Sequence, residues 1–323
     1  MVRSLVIKSS YAKKFLTEIY YFIKPALPRW LQIYLRRRVV QWKRKAFSNI
    51  WPIDRSSAAP PQCWSGWPEG KQFALVLTHD VETTRGVERC RQLIELEKKL
   101  GFRSSLNFVA NDYITPSGLR NYIIAQGFEV GLHGLNHAIN PFKSRKIFQK
   151  QAIEINRYLK EWGIAGFRAP CMRHNLEWIC NLNIEYDCST FDTDPFEPQP
   201  DGLKTIFPLW VRGNPSERGY VELPYTLPQD FTLFILMEER NIRIWKQKLD
   251  WIAEHGGMAL VNTHPDYMNF NDNKMDIEEY PVSYYAEFLK YVISTYGDRC
   301  WNQLPREIAR FWATGRCNKT YVL

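Results

Sequence analysis

The sequence contains seven cysteines but no Cys-x-x-Cys motif. An odd number of scattered cysteines predicts neither a disulfide framework nor a thiolate zinc site, and it favours reduced thiols in a cytosolic protein. No stretch reaches the roughly 18 to 20 apolar residues that a membrane-spanning helix needs. We expect no cleavable export signal, because Lys13, Lys14, Glu18 and Lys24 interrupt the first apolar stretch and no small-residue cleavage site follows.

Acidic residues are nearly absent from residues 1–45, where Glu18 stands against twelve lysines and arginines, a net charge of +11. The other residues carry 31 basic and 33 acidic side chains, a net charge of −2. Leu31, Leu35, Val39 and Trp42 follow helical spacing. A basic amphipathic segment with tryptophan is typical of peripheral contact with an anionic membrane, although a solvated helix or an arm on the main domain has the same pattern. Nucleic acid is not an expected partner, since the rest of the chain has no recognisable binding module.

Composition divides the 323 residues into three parts. Residues 1–50 form a basic amphipathic N-terminal segment, and residues 51–70 form a linker rich in proline and tryptophan. Residues 71–323 are long enough to bury one large core, and we expect a single catalytic domain there.

Short apolar runs alternate with helical patterns after Lys71. The runs that predict strands are 73–77, 105–109, 129–132, 166–169, 184–189 and 258–263. Helical patterns cover residues 87–100 and 144–162 and two shorter stretches that begin near 115 and 176. Repeated strand-helix units predict a parallel sheet or barrel, in which functional residues lie where strands end.

Five of the predicted strands end in ionisable side chains. Burial of such groups without partners is costly, so we expect them to be partners of one another. Two imidazoles together with carboxylates predict a metal site with a base beside it, the chemistry of metal-assisted hydrolysis. The groups, in chain order, are Asp80 with Glu82, His133 with His137, Arg168, Asp187 with Asp192 and Asp194, and His264.

The set and its order resemble the polysaccharide deacetylase family, the NodB-homology carbohydrate esterases, over roughly residues 70–270. The first family motif holds an aspartate base and an acidic metal ligand, which the resemblance assigns to Asp80 and Glu82. The second motif is His-x-x-x-His, and its two metal-binding imidazoles correspond to His133 and His137.

The later motifs are matched in the same order. Arg168 and Pro170 match the Arg-x-Pro motif, whose arginine orients the base, and His264 matches the acid histidine at the end of a strand. The arginine is expected to keep the base ionised, and an acid near the histidine to keep that imidazole protonated. The fourth motif is the loosest, and its candidates are Asp187, Asp192 and Asp194.

The sequence departs from the family pattern at three positions. His79 stands where phenylalanine usually precedes the base, and the metal acid is Glu82 rather than aspartate. Gly134 stands where a serine or threonine commonly supports the histidine motif. The resemblance implies a distorted (β/α) barrel of the polysaccharide deacetylase type with about seven parallel strands, preceded by a basic helical segment.

The expected function is a metal-dependent hydrolase that removes an acetyl group from an N-acetylated sugar of a polysaccharide or of its lipid- or nucleotide-linked precursor. Zinc is the expected metal, and the same ligands accept cobalt, nickel or iron. Without an export signal, we expect a cytoplasmic protein, peripheral on the inner membrane face. One alternative is an inactive sugar-binding or scaffold protein of polysaccharide biosynthesis. A non-haem iron oxygenase is a further alternative, but it expects a carboxylate one residue beyond a histidine.

Overall fold

The structure, a computed structural model, describes residues 27–62, 64–213, 219–271, 275–315 and 320–321. Helix α1 (Arg29–Ala46) belongs to one compact unit, and a second unit begins at Phe47. Residues 1–26 of the predicted basic segment lie outside the described residues, and the boundaries at residues 50 and 70 stay a prediction. None of the described helices is both long and apolar enough to cross a membrane.

A mostly parallel sheet forms the centre of the larger unit. The strands of the described residues are β1 (Phe73–Val81), β2 (Ser105–Phe108), β3 (Glu129–Leu132), β4 (Gly166–Phe167), β5 (Tyr186–Asp187), β6 (Leu209–Val211), β7 (Tyr220–Glu222), β8 (Met258–Thr263), β9 (Met268–Asn269), β10 (Tyr280–Pro281), β11 (Cys300–Asn302) and β12 (Thr320–Tyr321). Seven parallel strands lie side by side in the order β8-β1-β2-β3-β4-β5-β7, and β6 extends the sheet by antiparallel pairing with β7. Two further strands pair with this sheet in parallel, β11 with β1 and β12 with β6, while β9 and β10 form a separate pair.

The sheet curls until the segment after β7 reaches β8. The backbone N–H of Thr226 donates to the carbonyl of Leu260 (3.1 Å), and the Leu260 N–H donates to Thr226 Oγ1 (2.9 Å). These contacts replace a regular ladder between the two strands. The barrel is therefore distorted at this seam, and its interior is lined by the inward faces of the seven strands.

Helices connect the strands and cover the outside of the sheet. Helix α4 shows why they form where they do: the Ile147 N–H donates to the side chain of Ser144 at its start (3.3 Å), and Gly163, with φ of 65°, ends it. Its buried residues, Phe148, Ala152, Ile155 and Leu159, recur at helical spacing. The helices are α2 (Thr84–Lys99), α3 (Ser117–Ala125), α4 (Arg145–Trp162), α5 (Leu176–Ile179), α6 (Arg243–Glu254), α7 (Val282–Tyr296) and α8 (Pro305–Thr314).

All nine residues of β1 are buried, so its polar side chains need partners on both faces of the sheet. His79 points away from its neighbour Asp80, as strand alternation predicts. Its Nδ1 lies 2.7 Å from Thr263 Oγ1, and its Nε2 lies 2.9 Å from Glu97 Oε1. Both ring nitrogens of His79 are therefore paired on the face of β1 that is turned away from Asp80.

Candidate metal centre

The predicted site residues follow the carboxyl ends of four barrel strands. Asp80 and Glu82 come at and just after the end of β1, and His133 follows β3 directly. Arg168 follows β4, and His264 follows β8. Parallel strands place their carboxyl ends at one end of a barrel, and the structure brings these side chains together there.

Glu82, His133 and His137 form a group that could hold a metal ion, with one ligand atom from each lying within 4.8 Å of the other two. His137 Nε2 lies 2.8 Å from Glu82 Oε1. His133 Nδ1 lies 3.2 Å from the carbonyl of Arg168, which leaves Nε2 for a ligand. Two imidazole nitrogens and a carboxylate oxygen make a donor set that suits a divalent transition metal with an open coordination position.

The two imidazoles of this group differ in how readily they lose a proton. Burial lowers the pKa of His133 to about 4, so this imidazole is neutral at pH 7. Burial alone would lower the pKa of His137, but the adjacent Glu82 carboxylate raises it above its ordinary value. His137 therefore holds a proton more tightly than a free imidazole does, and a cation bound there would have to displace that proton.

Glu82 is held at two points, its carboxylate and its backbone N–H, by the segment after β8. Tyr267 donates its hydroxyl hydrogen to Glu82 Oε2 (2.6 Å), and the Glu82 backbone N–H donates to Asp266 Oδ2 (3.0 Å). The other oxygen, Oε1, faces His137. One carboxylate oxygen is thus engaged by the protein, and the other is directed at the metal group.

Asp112 holds the loop that carries the second imidazole. Its Oδ2 accepts the backbone N–H of His137 (2.7 Å), and its Oδ1 accepts from the side chain of Asn136 (2.7 Å). Asp112 follows β2 in a polar loop with no motif around it, so the sequence pattern does not identify this residue. It is a positioning residue for His137.

Asp80 lies in a buried ring of hydrogen-bond donors. It accepts from Asn107 Nδ2 (2.9 Å), Asn262 Nδ2 (2.8 Å) and Arg168 Nη1 (3.2 Å). Burial alone would raise the pKa of this carboxyl, but Arg168, His133 and His264 together bring the pKa well below its ordinary value. Asp80 is therefore ionised, as the position of Arg168 in the sequence predicts.

The Arg168 guanidinium is fixed by several acceptors besides Asp80. Its Nε donates to the carbonyl of Cys188 (2.9 Å), while its Nη1 also donates to Asn262 Oδ1 (2.5 Å) and Thr78 Oγ1 (2.8 Å). The side chain is almost completely buried. Its charge is consequently held at one position beside the base.

His264 is paired with an acid that the sequence analysis missed. Asp230 accepts the backbone N–H of His264 through Oδ2 (2.8 Å), and its Oδ1 lies 2.7 Å from His264 Nδ1. Burial alone would lower the pKa of His264, but Asp230 and then Glu82 raise it to about 10. The imidazole is therefore protonated at pH 7, and its Nε2 lies 3.7 Å from Glu82 Oε1.

The three acids predicted for the fourth motif have other partners. Asp187 lies opposite Glu222 on β7, and burial raises the pKa of both carboxyls. Asp192 contacts Lys248 Nζ at 2.5 Å, and Asp194 Oδ2 accepts from the Tyr225 hydroxyl (2.9 Å). Which of the three fills the fourth motif stays a prediction, and the acid beside His264 is a different residue, Asp230. Asp230 directly precedes a π-helical turn, Phe231–Leu236, and does not follow a strand. Its position therefore cannot be predicted from a strand pattern.

Structural comparison finds similar barrels among solved structures. A protein from Mycobacterium smegmatis assigned as a polysaccharide deacetylase matches with a TM-score of 0.62 and 16% identity, over 82% of this chain and 97% of its own. One from Pseudomonas aeruginosa, assigned likewise, matches with a TM-score of 0.57 and 17% identity, over 83% of this chain and 100% of its own. The chain has the polysaccharide deacetylase fold. The predicted distorted (β/α) barrel is thereby confirmed.

The same fold occurs in an allantoinase, which matches with a TM-score of 0.57 and 16% identity, over 83% of this chain and 99% of its own. No protein-family model matches the sequence. No curated protein sequence matches it either. At 16–17% identity, the similarity to these structures extends to the fold. The chemistry of the site is inferred from its own residues.

The backbone conformation and the packing at position 134 explain why the residue there is a glycine. Its φ is +71°, and a Cβ added there would lie 2.7 Å from Cδ of Pro170. Its carbonyl accepts the N–H of Ala110 (3.1 Å), which ties the histidine loop to the end of β2. A glycine is needed because the Arg-x-Pro segment packs directly against the histidine loop.

Gly134→Ser is expected to lower the free energy of unfolding by about 1–3 kcal/mol, because it forces a positive φ on a residue with a Cβ and creates a contact with Pro170. Urea unfolding followed by circular dichroism measures the loss. Gly118→Ser is the matched control, since a Cβ at that position meets nothing within 4 Å. Equal stability of the two variants would contradict this account of Gly134.

Tyr267→Phe is expected to weaken metal binding by about 10- to 100-fold, because it removes the hydroxyl that holds Glu82 Oε2. Competition for Zn²⁺ between the protein and a chromophoric chelator measures the affinity directly. Tyr284→Phe is the control, since the Tyr284 ring packs against Phe234. Unchanged Zn²⁺ affinity in Tyr267→Phe would show that this hydroxyl does not position the carboxylate.

Proposed function

We propose that the protein is a metal-dependent hydrolase that removes the acetyl group from an N-acetylated sugar. The observation that carries this proposal is the pair of oppositely charged groups beside the candidate metal ligands. Asp80 has a pKa held low by Arg168 against the effect of burial, and His264 has a pKa raised by Asp230 to about 10. A base and an acid that are both in their working protonation states at neutral pH are what amide hydrolysis needs.

Glu82, His133 and His137 would hold the metal. When bound, a divalent metal lowers the pKa of a coordinated water towards about 7 and polarises a carbonyl group. We propose zinc, because two imidazoles and one carboxylate are a common zinc ligand set, and cobalt, nickel and iron fit the same donors.

The chain itself moves two protons. Asp80 accepts a proton from the water that attacks the acetyl carbonyl, and Arg168 and the two asparagine amides hold the carboxylate in position. His264 donates its proton to the sugar nitrogen as the carbon–nitrogen bond breaks. The products are acetate and a free amine. Asp230 stays ionised and keeps the imidazole oriented.

The substrate class is proposed from the fold together with these residues. Two of the similar structures are assigned as polysaccharide deacetylases, and this supports an acetylated polysaccharide as the substrate class. We extend the proposal to the lipid- or nucleotide-linked precursor of such a polymer. Because an allantoinase has the same fold, allantoin is a competing substrate, and it is included in the experiment below. An inactive sugar-binding protein is the weaker candidate, because such a protein does not need both Asp80 and the Asp230–His264 pair.

Wild-type protein loaded with Zn²⁺ is expected to release acetate from at least one member of a panel of N-acetylated oligosaccharides and N-acetylated sugar precursors. Asp80→Asn is expected to reduce this rate by about 10²- to 10⁴-fold, because the water loses its base. Asp298→Asn, an exposed aspartate, is the control. Equal acetate release by wild type and Asp80→Asn, or hydrolysis of allantoin without any acetate release, would refute the proposal.

The pH profile tests the acid. His264 can donate a proton below its pKa and loses this ability as the pH rises through it, so kcat/KM should fall on the alkaline side. A cation held by Glu82 would offset part of the increase in the pKa of His264 to about 10. We therefore compare the position of the alkaline limb between wild type and variants. Asp230→Asn should move the alkaline limb to lower pH by at least about one unit.

Asp250→Asn is the matched control for this profile. Like Asp230, Asp250 accepts a tyrosine hydroxyl hydrogen, but it lies on α6. The two profiles are measured with the same N-acetylated substrate. An alkaline limb that stays in place in Asp230→Asn would mean that another group donates the proton.

A further inference from the structure

Helix α1 exposes an unusual number of large apolar side chains on one face. Numbered at 100° per residue, the side chains fall within one half of the helix circumference. Each of them is between 38% and 61% exposed. The residues are Trp30, Tyr34, Leu35, Val39 and Trp42.

The same helix carries only one sign of charge. Its 18 residues include seven lysines and arginines and no aspartate or glutamate. Arg38 lies within the apolar face, where its guanidinium packs 5.3 Å from the Tyr34 ring centroid and its Nη2 donates to the Tyr34 hydroxyl (3.1 Å). The exposed face therefore combines aromatic rings, aliphatic side chains and positive charge.

This combination has a specific physical match. Tryptophan and tyrosine rings prefer the boundary between lipid headgroups and acyl chains, and lysine and arginine bind the phosphates of anionic lipids. A nucleic acid would also attract the positive charge, but the aliphatic Leu35 and Val39 have no partner on a phosphate backbone. Since no described helix is apolar enough to span a bilayer, the helix would lie in the plane of the surface.

We propose that α1 is a docking helix for an anionic phospholipid surface. Trp30 and Trp42, at opposite ends of the face, enter the headgroup region with Leu35 and Val39 between them. Arg38 contacts a lipid phosphate, and the net positive charge of the helix draws it towards an anionic surface. The proposal concerns α1 alone and does not depend on the hydrolase function.

The test is flotation of the full-length protein with two kinds of vesicle. One is made of phosphatidylcholine alone, and in the other phosphatidylglycerol replaces about one third of the phosphatidylcholine. Wild type is expected to float with the anionic vesicles, to bind the neutral ones much more weakly, and to be released as salt increases. Trp30→Ala combined with Trp42→Ala should weaken vesicle binding by at least about tenfold, and Arg38→Gln by about fivefold.

The control variant, Ile114→Ala combined with Ile153→Ala, removes two exposed apolar side chains from elsewhere on the chain. It should float like wild type, and circular dichroism should show that all variants are folded. Failure of wild type to float with anionic vesicles, or equal flotation of the double-tryptophan variant, would overturn the proposal. So would α1-dependent binding of DNA or RNA in the absence of vesicle binding.

Discussion

The buried charge of Asp80 constrains the barrel around it. An ionised carboxylate in a protein interior is tolerated only where cations and hydrogen-bond donors replace water. Arg168 supplies the cation, and Asn107 on β2 and Asn262 on β8 supply amide hydrogens from either side of β1. Asp80 stands opposite Asn107 in the β1–β2 register, and Thr78 stands opposite Asn262 in the β1–β8 register. A shift of one residue in either strand would turn that amide to the other face of the sheet, so the charge depends on the register of three strands.

Much of this site is predictable from sequence because the groups stand directly at strand ends. The apolar run before Asp80 and the helix between Ser144 and Gly163 have clear periodic patterns, and the histidine spacing after β3 fixes two of the candidate ligands. The positioning residues have no such pattern. Asp230 and Tyr267 are brought to the site by short π- and 3₁₀-helical turns, whose order in space depends on tertiary packing.

The sheet itself was predicted incompletely for a related reason. Strands β6 and β7 have only three residues each, too few for an alternating pattern to stand out from the surrounding loops. Because β7 was not predicted, the sequence does not show that Glu222 lies opposite Asp187. Asp187 is therefore interpreted from the sequence as an unpaired acid at a strand end. The reason for a glycine at position 134 cannot be predicted from the sequence, because the positive φ and the contact with Pro170 exist only in the folded structure.

The seam between the segment after β7 and strand β8 separates Asp230 from the site residues that regular ladders join. Thr226 joins Leu260 there without a ladder, and Asp230 follows four residues later. The candidate metal ligands lie after β1 and β3, within the continuous part of the sheet. Local opening at the seam would therefore separate Asp230 from His264 while leaving the metal group assembled. Regular ladders thus fix Asp80, Glu82, His133 and His264 relative to one another, whereas Asp230 reaches His264 across a seam that no ladder supports.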